Sequence, residues 1–246
     1  MTSANALQQS TEERLPRGPY AISADAVAAD QRRRMLEALP RAVAENGFEA
    51  TTVEHIVKFG GVRRNSFYEQ FSDKRDCFAA AYEIAQERLL GVLTFQCYTQ
   101  AGLLDRVGAA LGGALDLLSA NPSLARLIVV EAPAAGEEIA ARHHEWLDRY
   151  SRLLQLAAVG TPNAVAPKPA LEPAIVGAVV SRVKQLVLAG ETRDLPRLCP
   201  ELTQLTLSYY GLPAPPPDPP RTSAAGEDVE SSQPQSPGRR AVLEPA

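Results

Sequence analysis

The chain has 246 residues, enough for one or two hydrophobic cores, and 45% of them are hydrophobic. Its formal charge of −4 means that nucleic-acid binding cannot be argued from bulk charge and would have to rest on local basic residues. Three cysteines, Cys77, Cys97 and Cys199, are too few and too far apart for a disulfide framework or a zinc ligand set, so buried thiols in a reducing compartment are expected.

Residues 1–19 have no apolar period and read as a disordered arm. A first helix is expected from Ser23 to Asn46, with Leu36, Leu39 and Val43 on one face, Gly47 as its stop and Phe48 folding back on its end. Pro40 lies inside it and predicts a kink. Arg32, Arg33 and Arg34 are either solvated charge or a source of one or two phosphate contacts.

Thr51 to Arg75 is the most informative stretch. Val53, Ile56 and Val57 share a helical face, Gly60-Gly61 permits a tight corner, and Phe67 and Phe71 sit one turn apart on the helix that follows. This is the pattern of a helix-turn-helix, with Arg63, Arg64, Asn65 and Ser66 at the front of its second helix. Arg and Asn can make bidentate contacts to guanine and adenine. Thr51 and Glu54 match a T-x-x-E capping box, which predicts a helix start at Thr51 and turns the hydroxyl of Thr52 outward toward a phosphate. Asp73 is the expected cap of the next helix, with Lys74 in its first turn, and Tyr68 lies between the two helix starts.

The run T-T-V-x-x-I-x-x-x-x-G-V-x-x-x-x-F-Y-x-x-F-x-D-K resembles the DNA-binding motif of the TetR family of bacterial transcriptional regulators, over Gln31 to about Tyr82. The resemblance implies an all-α homodimer: an N-terminal three-helix helix-turn-helix domain plus a larger helical-bundle ligand-binding and dimerisation domain. It implies DNA contacts for Thr52, Arg64, Asn65, Ser66, Tyr68 and Lys74. Arg63 departs from the family, which often has Ser there. Arg cannot cap a helix as Ser does, so Arg63 is expected to reach a phosphate or base.

Beyond Lys74 the helical pattern lengthens. Helices are expected from Lys74 to Thr94 or beyond, Leu103–Ser119, Pro122 to about Glu131, and Glu137–Ala158, with a loop over Ala132–Gly136. The resemblance places a ligand pocket among them, and aromatic content nominates Phe95, Tyr98, Trp146 and Tyr150 as its lining, with plain core as the alternative. A Pro-rich connector over Thr161–Pro169 leads to a last helix pair, Leu171–Ala189 and about Leu195–Tyr210, the second opening irregularly at Pro196 and Pro200 so that its regular part is expected to start only near Pro200. A helix-turn-helix present once requires a second copy to read a two-fold operator. Val176, Val179 and Val183, with Leu198, Leu202, Leu205 and Tyr209, are the expected dimer interface; the competing reading is that these stripes serve the chain's own core.

The domain division expected is therefore 20–73 for DNA binding and 74–212 for ligand and dimer, with residues 213–246 a disordered Pro-rich tail. Adjacent His143 and His144 point about 100° apart on a helix and do not converge on a metal. No cofactor, metal or catalytic motif is expected. Without a signal peptide or membrane-spanning run, a cytoplasmic protein is expected. The function that follows is a ligand-responsive DNA-binding regulator, a repressor released from operator DNA by a small-molecule effector. The alternative is a helical-bundle interaction protein that has lost DNA binding.

Overall fold

The computed structural model describes residues 23–161 and 171–212, so the expected arm, the Pro-rich connector after Thr161 and the tail lie outside the described residues. The described residues are helical, without a strand. The elements are α1 (Ala24–Ala50), α2 (Val53–Gly60), α3 (Arg64–Tyr68), α4 (Lys74–Tyr98), α5 (Leu103–Ala120), α6 (Pro122–Arg126), α7 (Glu137–Ala158), α8 (Leu171–Ala189) and α9 (Cys199–Ser208). None of these helices is both long and apolar enough to cross a membrane by itself.

α1 starts where expected, with the Ser23 hydroxyl accepting from the amide of Ala26 at 3.1 Å. It runs unbroken through Pro40, and its one non-helical residue is Gly47 at φ 74°. Glycine takes that left-handed turn without a Cβ penalty. The chain then winds one more turn, which buries Phe48 edge-on to Phe78 of α4, ring centroids 4.7 Å apart.

Two expected boundaries are corrected. Thr51 does not cap α2: its hydroxyl donates back to Gly47 O at 2.7 Å, closing the end of α1, and the residue is buried. The cap is Thr52, whose hydroxyl accepts from His55 N while Thr52 N donates to His55 Nδ1, so the capping box is completed by His55 and not by Glu54. The expected helix to Glu131 stops at Arg126 and widens into a π-helical turn, Leu127–Glu131, followed by a 3₁₀ turn, Ala132–Ala134, where a loop was expected. As expected from its two prolines, α9 opens irregularly: it is regular only from Cys199, after a 3₁₀ segment over Thr192–Leu198 that accommodates Pro196.

The core is continuous from the helix-turn-helix into the body. Met35, Leu39, Ile56, Phe67 and Phe71 share one buried cluster with Phe78, Leu115, Ile128, Trp146 and Leu202. A smaller cluster of Cys97, Leu103, Val107, Ala157, Leu207 and Tyr210 closes the far end. Cys77 and Cys97 are buried free thiols, and Cys199 is half-buried. This packing corrects the expected dimer seam. Val183, Leu198 and Leu202 are 4%, 5% and 1% exposed and belong to the chain's own core. Those three positions are covered from within, while Val176, Val179 and Leu205 are half-buried. Of the seven nominated residues only Tyr209, at 40%, is exposed.

Candidate DNA-binding face and ligand cavity

The corner between α2 and α3 is made by Gly61, at φ 59°, and is held by Arg34, whose Nη2 donates to Gly61 O at 2.8 Å. Arg32 packs its guanidinium over Phe71, 4.4 Å from the ring centroid, and donates to Gln70 O at 3.1 Å. These two arginines brace the domain internally, a role outside both expectations for them. Arg33 pairs with Asp30 and Glu37 at the surface.

Beyond that corner, Arg63 stands at the N-cap of α3 without a side-chain cap bond, and Arg63, Arg64 and Asn65 are all exposed. Tyr68 is 50% exposed, and Arg64 Nη2 donates to its hydroxyl at 3.3 Å. With Thr52 exposed at the start of α2, five of the seven nominated residues lie on the solvent side of the motif. Ser66 and Lys74 do not present free groups. Ser66 is only 9% exposed because it lies beside Phe67 on the inner side of a single short turn. The ammonium of Lys74 donates to the carbonyls of Phe48, Glu49 and Thr51, at 3.0, 2.8 and 3.0 Å. All three of its protons are committed, so it caps the C-terminal end of α1 rather than waiting for a phosphate. Asp73 caps α4 as expected, accepting from Arg75 N and Asp76 N.

The body encloses a cavity of about 150 Å³. Its walls are apolar side chains of α4, α5, α7, α8 and the π-helical turn, among them Leu93, Leu111, Ile128, Leu147 and Val180. The lining on α7 runs from His143 to Ala157, about 21 Å at a rise of about 1.5 Å per residue. The cavity is thus an elongated slot along α7. Of the nominated aromatics only Tyr150 lines it. Phe95 and Tyr98 are 68% and 74% exposed, on the outward side of the last turn of α4. Trp146 is 2% exposed but faces α4, donating from Nε1 to Glu83 Oε2 at 3.2 Å. Val176, Val179 and Val183, expected at a dimer seam, are cavity wall.

Polar groups line one end, and of them only Tyr150 was nominated from the sequence. Tyr150, Gln86, Tyr82 and His143 form a chain of buried hydrogen bonds, with Tyr82 Oη 2.8 Å from His143 Nδ1. The partners are 61 to 64 residues apart in sequence except for Tyr82 and Gln86, so no local pattern could have revealed it. Burial, helped by the neighbouring charges of His144 and Lys184, lowers the pKa of His143 from an ordinary 6.5 to about 4. The unfolded chain therefore takes up this proton before the folded one. Stability is expected to fall as pH drops from about 6.5 toward 4, and replacing His143 by Phe should flatten that part of a melting-temperature profile. His144 faces outward, its Nδ1 2.7 Å from Ala140 O, so the two rings serve separate environments.

The π-helical turn joins the cavity to the end of α1. Ile128 and Val129 line the cavity, and Glu131 on the same turn is buried. Its carboxylate accepts from the Phe48 amide at 3.0 Å and from Arg126 Nε at 2.9 Å.

Residues 36–81 match the family model of bacterial regulatory proteins, tetR family. No curated protein sequence matches the chain. Solved structures with a similar fold include the transcriptional regulator FadR from Bacillus subtilis in complex with stearoyl-CoA, at TM-score 0.64 and 18% identity over 72% of this chain and 97% of that one. The fatty acid degradation regulator FadR from Bacillus halodurans is similar at TM-score 0.63 and 20% identity, over 71% and 97% of the two chains. SmeT, repressor of the Stenotrophomonas maltophilia multidrug efflux pump SmeDEF, follows at TM-score 0.57 and 22% identity, over 74% and 92%. Residues 36–81 are thus a helix-turn-helix DNA-binding domain of the tetR family of bacterial regulatory proteins, carried on the all-helical fold of those regulators.

Proposed function

We propose that the chain is a transcriptional repressor that binds operator DNA as a homodimer and is released when an effector with a single apolar chain enters the cavity. The observation that carries this reading is the π-helical turn, one side of which is cavity wall while its Glu131 holds the amide of Phe48, just ahead of α2. A guest that pushes on Ile128 or Val129 strains that bond and tilts α1 and α2 together. Ligand and DNA then oppose each other by one coupling free energy. On the outer side, Arg63, Arg64 and Asn65 read bases or phosphates, with Thr52 and Tyr68 on phosphates.

The elongated, apolar lining suits an alkyl chain, and the similar FadR from Bacillus subtilis was solved with stearoyl-CoA. The dimer is assigned to the outer sides of the last two helices. Ala174, Ala178, Ser181 and Leu188 of α8 are exposed at helical spacing, and Tyr209 lies exposed just after α9. Small residues there let two copies approach closely, and two pairs of helices close a four-helix bundle about a two-fold axis.

Filling the slot tests the reading. Ala114 is 8% exposed and lines the cavity. Ala114→Trp is expected to bind DNA but to be about tenfold or more less sensitive to release by long-chain acyl compounds, read by fluorescence anisotropy of labelled DNA. Unchanged release in a folded variant would remove the cavity from the mechanism.

A further inference from the structure

The buried hydrogen-bond chain has a sense, and the sense leaves a proton over. Tyr150 donates its hydroxyl proton to Gln86 Oε1, so the amide side of Gln86 faces Tyr82 and Nε2 donates to the phenol oxygen at 2.5 Å. The Tyr82 proton then goes to His143 Nδ1, and the neutral imidazole must carry its own proton on Nε2. His143 is 6% exposed and lines the cavity, and its Nε2 has no protein partner among the described residues. Run in the opposite sense, the chain ends on a Tyr150 O–H without a protein acceptor and leaves Nε2 a bare acceptor as well, one more unpartnered group than in the first sense. In both senses a donor is left over, and it sits on a residue that lines the cavity.

We propose that this donor, the Nε2–H of His143, binds the carbonyl oxygen of an uncharged ester, thioester or ketone attached to the alkyl chain, and so fixes which end of the effector lies against the π-helical turn. This rests on the reading of the cavity as the effector site. A carboxylate is disfavoured here. Arg106 is the one formally charged lining residue, and it sits far down the slot, where its Nε donates to Gln100 O and its Nη1 to Ala157 O, capping two helix ends. A neutral imidazole offers one hydrogen bond to an anion and no countercharge, too little to offset desolvation of a carboxylate.

The test uses the full chain with three probes of matched chain length: methyl nonanoate, nonanoate and decane. Calorimetry is expected to show methyl nonanoate binding about tenfold tighter than decane, nonanoate no tighter than the ester, and the ester's advantage erased in His143→Phe. In the unaltered protein, ¹⁵N spectra of the imidazoles should show His143 protonated at Nε2, with that resonance moving on addition of the ester and not of decane. Equal affinity for ester and decane, or tightest binding of nonanoate, overturns the proposal while leaving the cavity as effector site. If none of the three binds, the effector-site reading fails and takes this one with it.

Discussion

Leu202→Glu is expected to unfold the helical body, while Ala178→Glu is expected to give a folded monomer. Leu202 is 1% exposed and packs in the main core. Truncating such a leucine to alanine alone costs about 2–5 kcal/mol. A carboxylate put in its place adds the cost of an unpaired buried charge, several kcal/mol more, against a total stability of about 5–15 kcal/mol. Ala178 is exposed on α8, and a carboxylate there meets water in the single chain. In the proposed dimer it would face its own copy across the two-fold axis, where like charges repel. Far-UV circular dichroism with sedimentation separates the cases. A folded, monomeric Leu202→Glu chain would restore the seam that periodicity first indicated, and a fully dimeric Ala178→Glu chain would move the interface elsewhere.

Lys74→Ala is expected to lower stability by about 2–4 kcal/mol and to leave the salt dependence of DNA binding nearly unchanged. Its ammonium closes the end of α1 on three carbonyls and stands 4.8 Å from the centroid of the Phe48 ring. Hydrogen bonds to a charged group contribute about 1.5–3 kcal/mol each, and the total is held down because water can reach part of this helix end. A phosphate-binding lysine would behave oppositely, with stability intact and the slope of log affinity against log salt shallower by about 0.9. Denaturant melts and a salt series on the same variant distinguish the two roles.

The contrast between these roles marks what could be read from the sequence. Positions whose local chemistry has one outcome were legible: Asp73 as a cap, Gly61 as the corner, Ala189 as the last residue of α8. Positions whose outcome depends on a distant partner were not. Lys74 at the start of a helix suits an anion equally well, until the carbonyls of Phe48 to Thr51 arrive within 3.0 Å. Ser66 follows Asn65 in the motif, but on a helix of five residues one step turns a side chain from solvent to core. Periodicity finds the apolar side of a helix without saying what covers it, so Leu198 and Leu202 read as interface and prove to be core. Phe95 and Tyr98 failed for the reverse reason, since aromatic character carries no direction and both face out. His143 was set aside because it pairs badly with His144 for a metal. Its partner is Tyr82, 61 residues earlier, which only the fold brings within 2.8 Å.

The central claim is that α3 reads DNA in a two-fold assembly, and in-vitro selection from random duplex DNA tests it most directly. The full chain is expected to enrich an inverted repeat whose half-site centres lie about 34–36 Å apart along the duplex, or a multiple of that spacing. Asn65→Ala should relax preference at one base pair of each half-site and cost about 1–3 kcal/mol of affinity. Enrichment of no sequence by the folded chain, or the same site at the same affinity with both Arg64 and Asn65 replaced by alanine, would contradict the account.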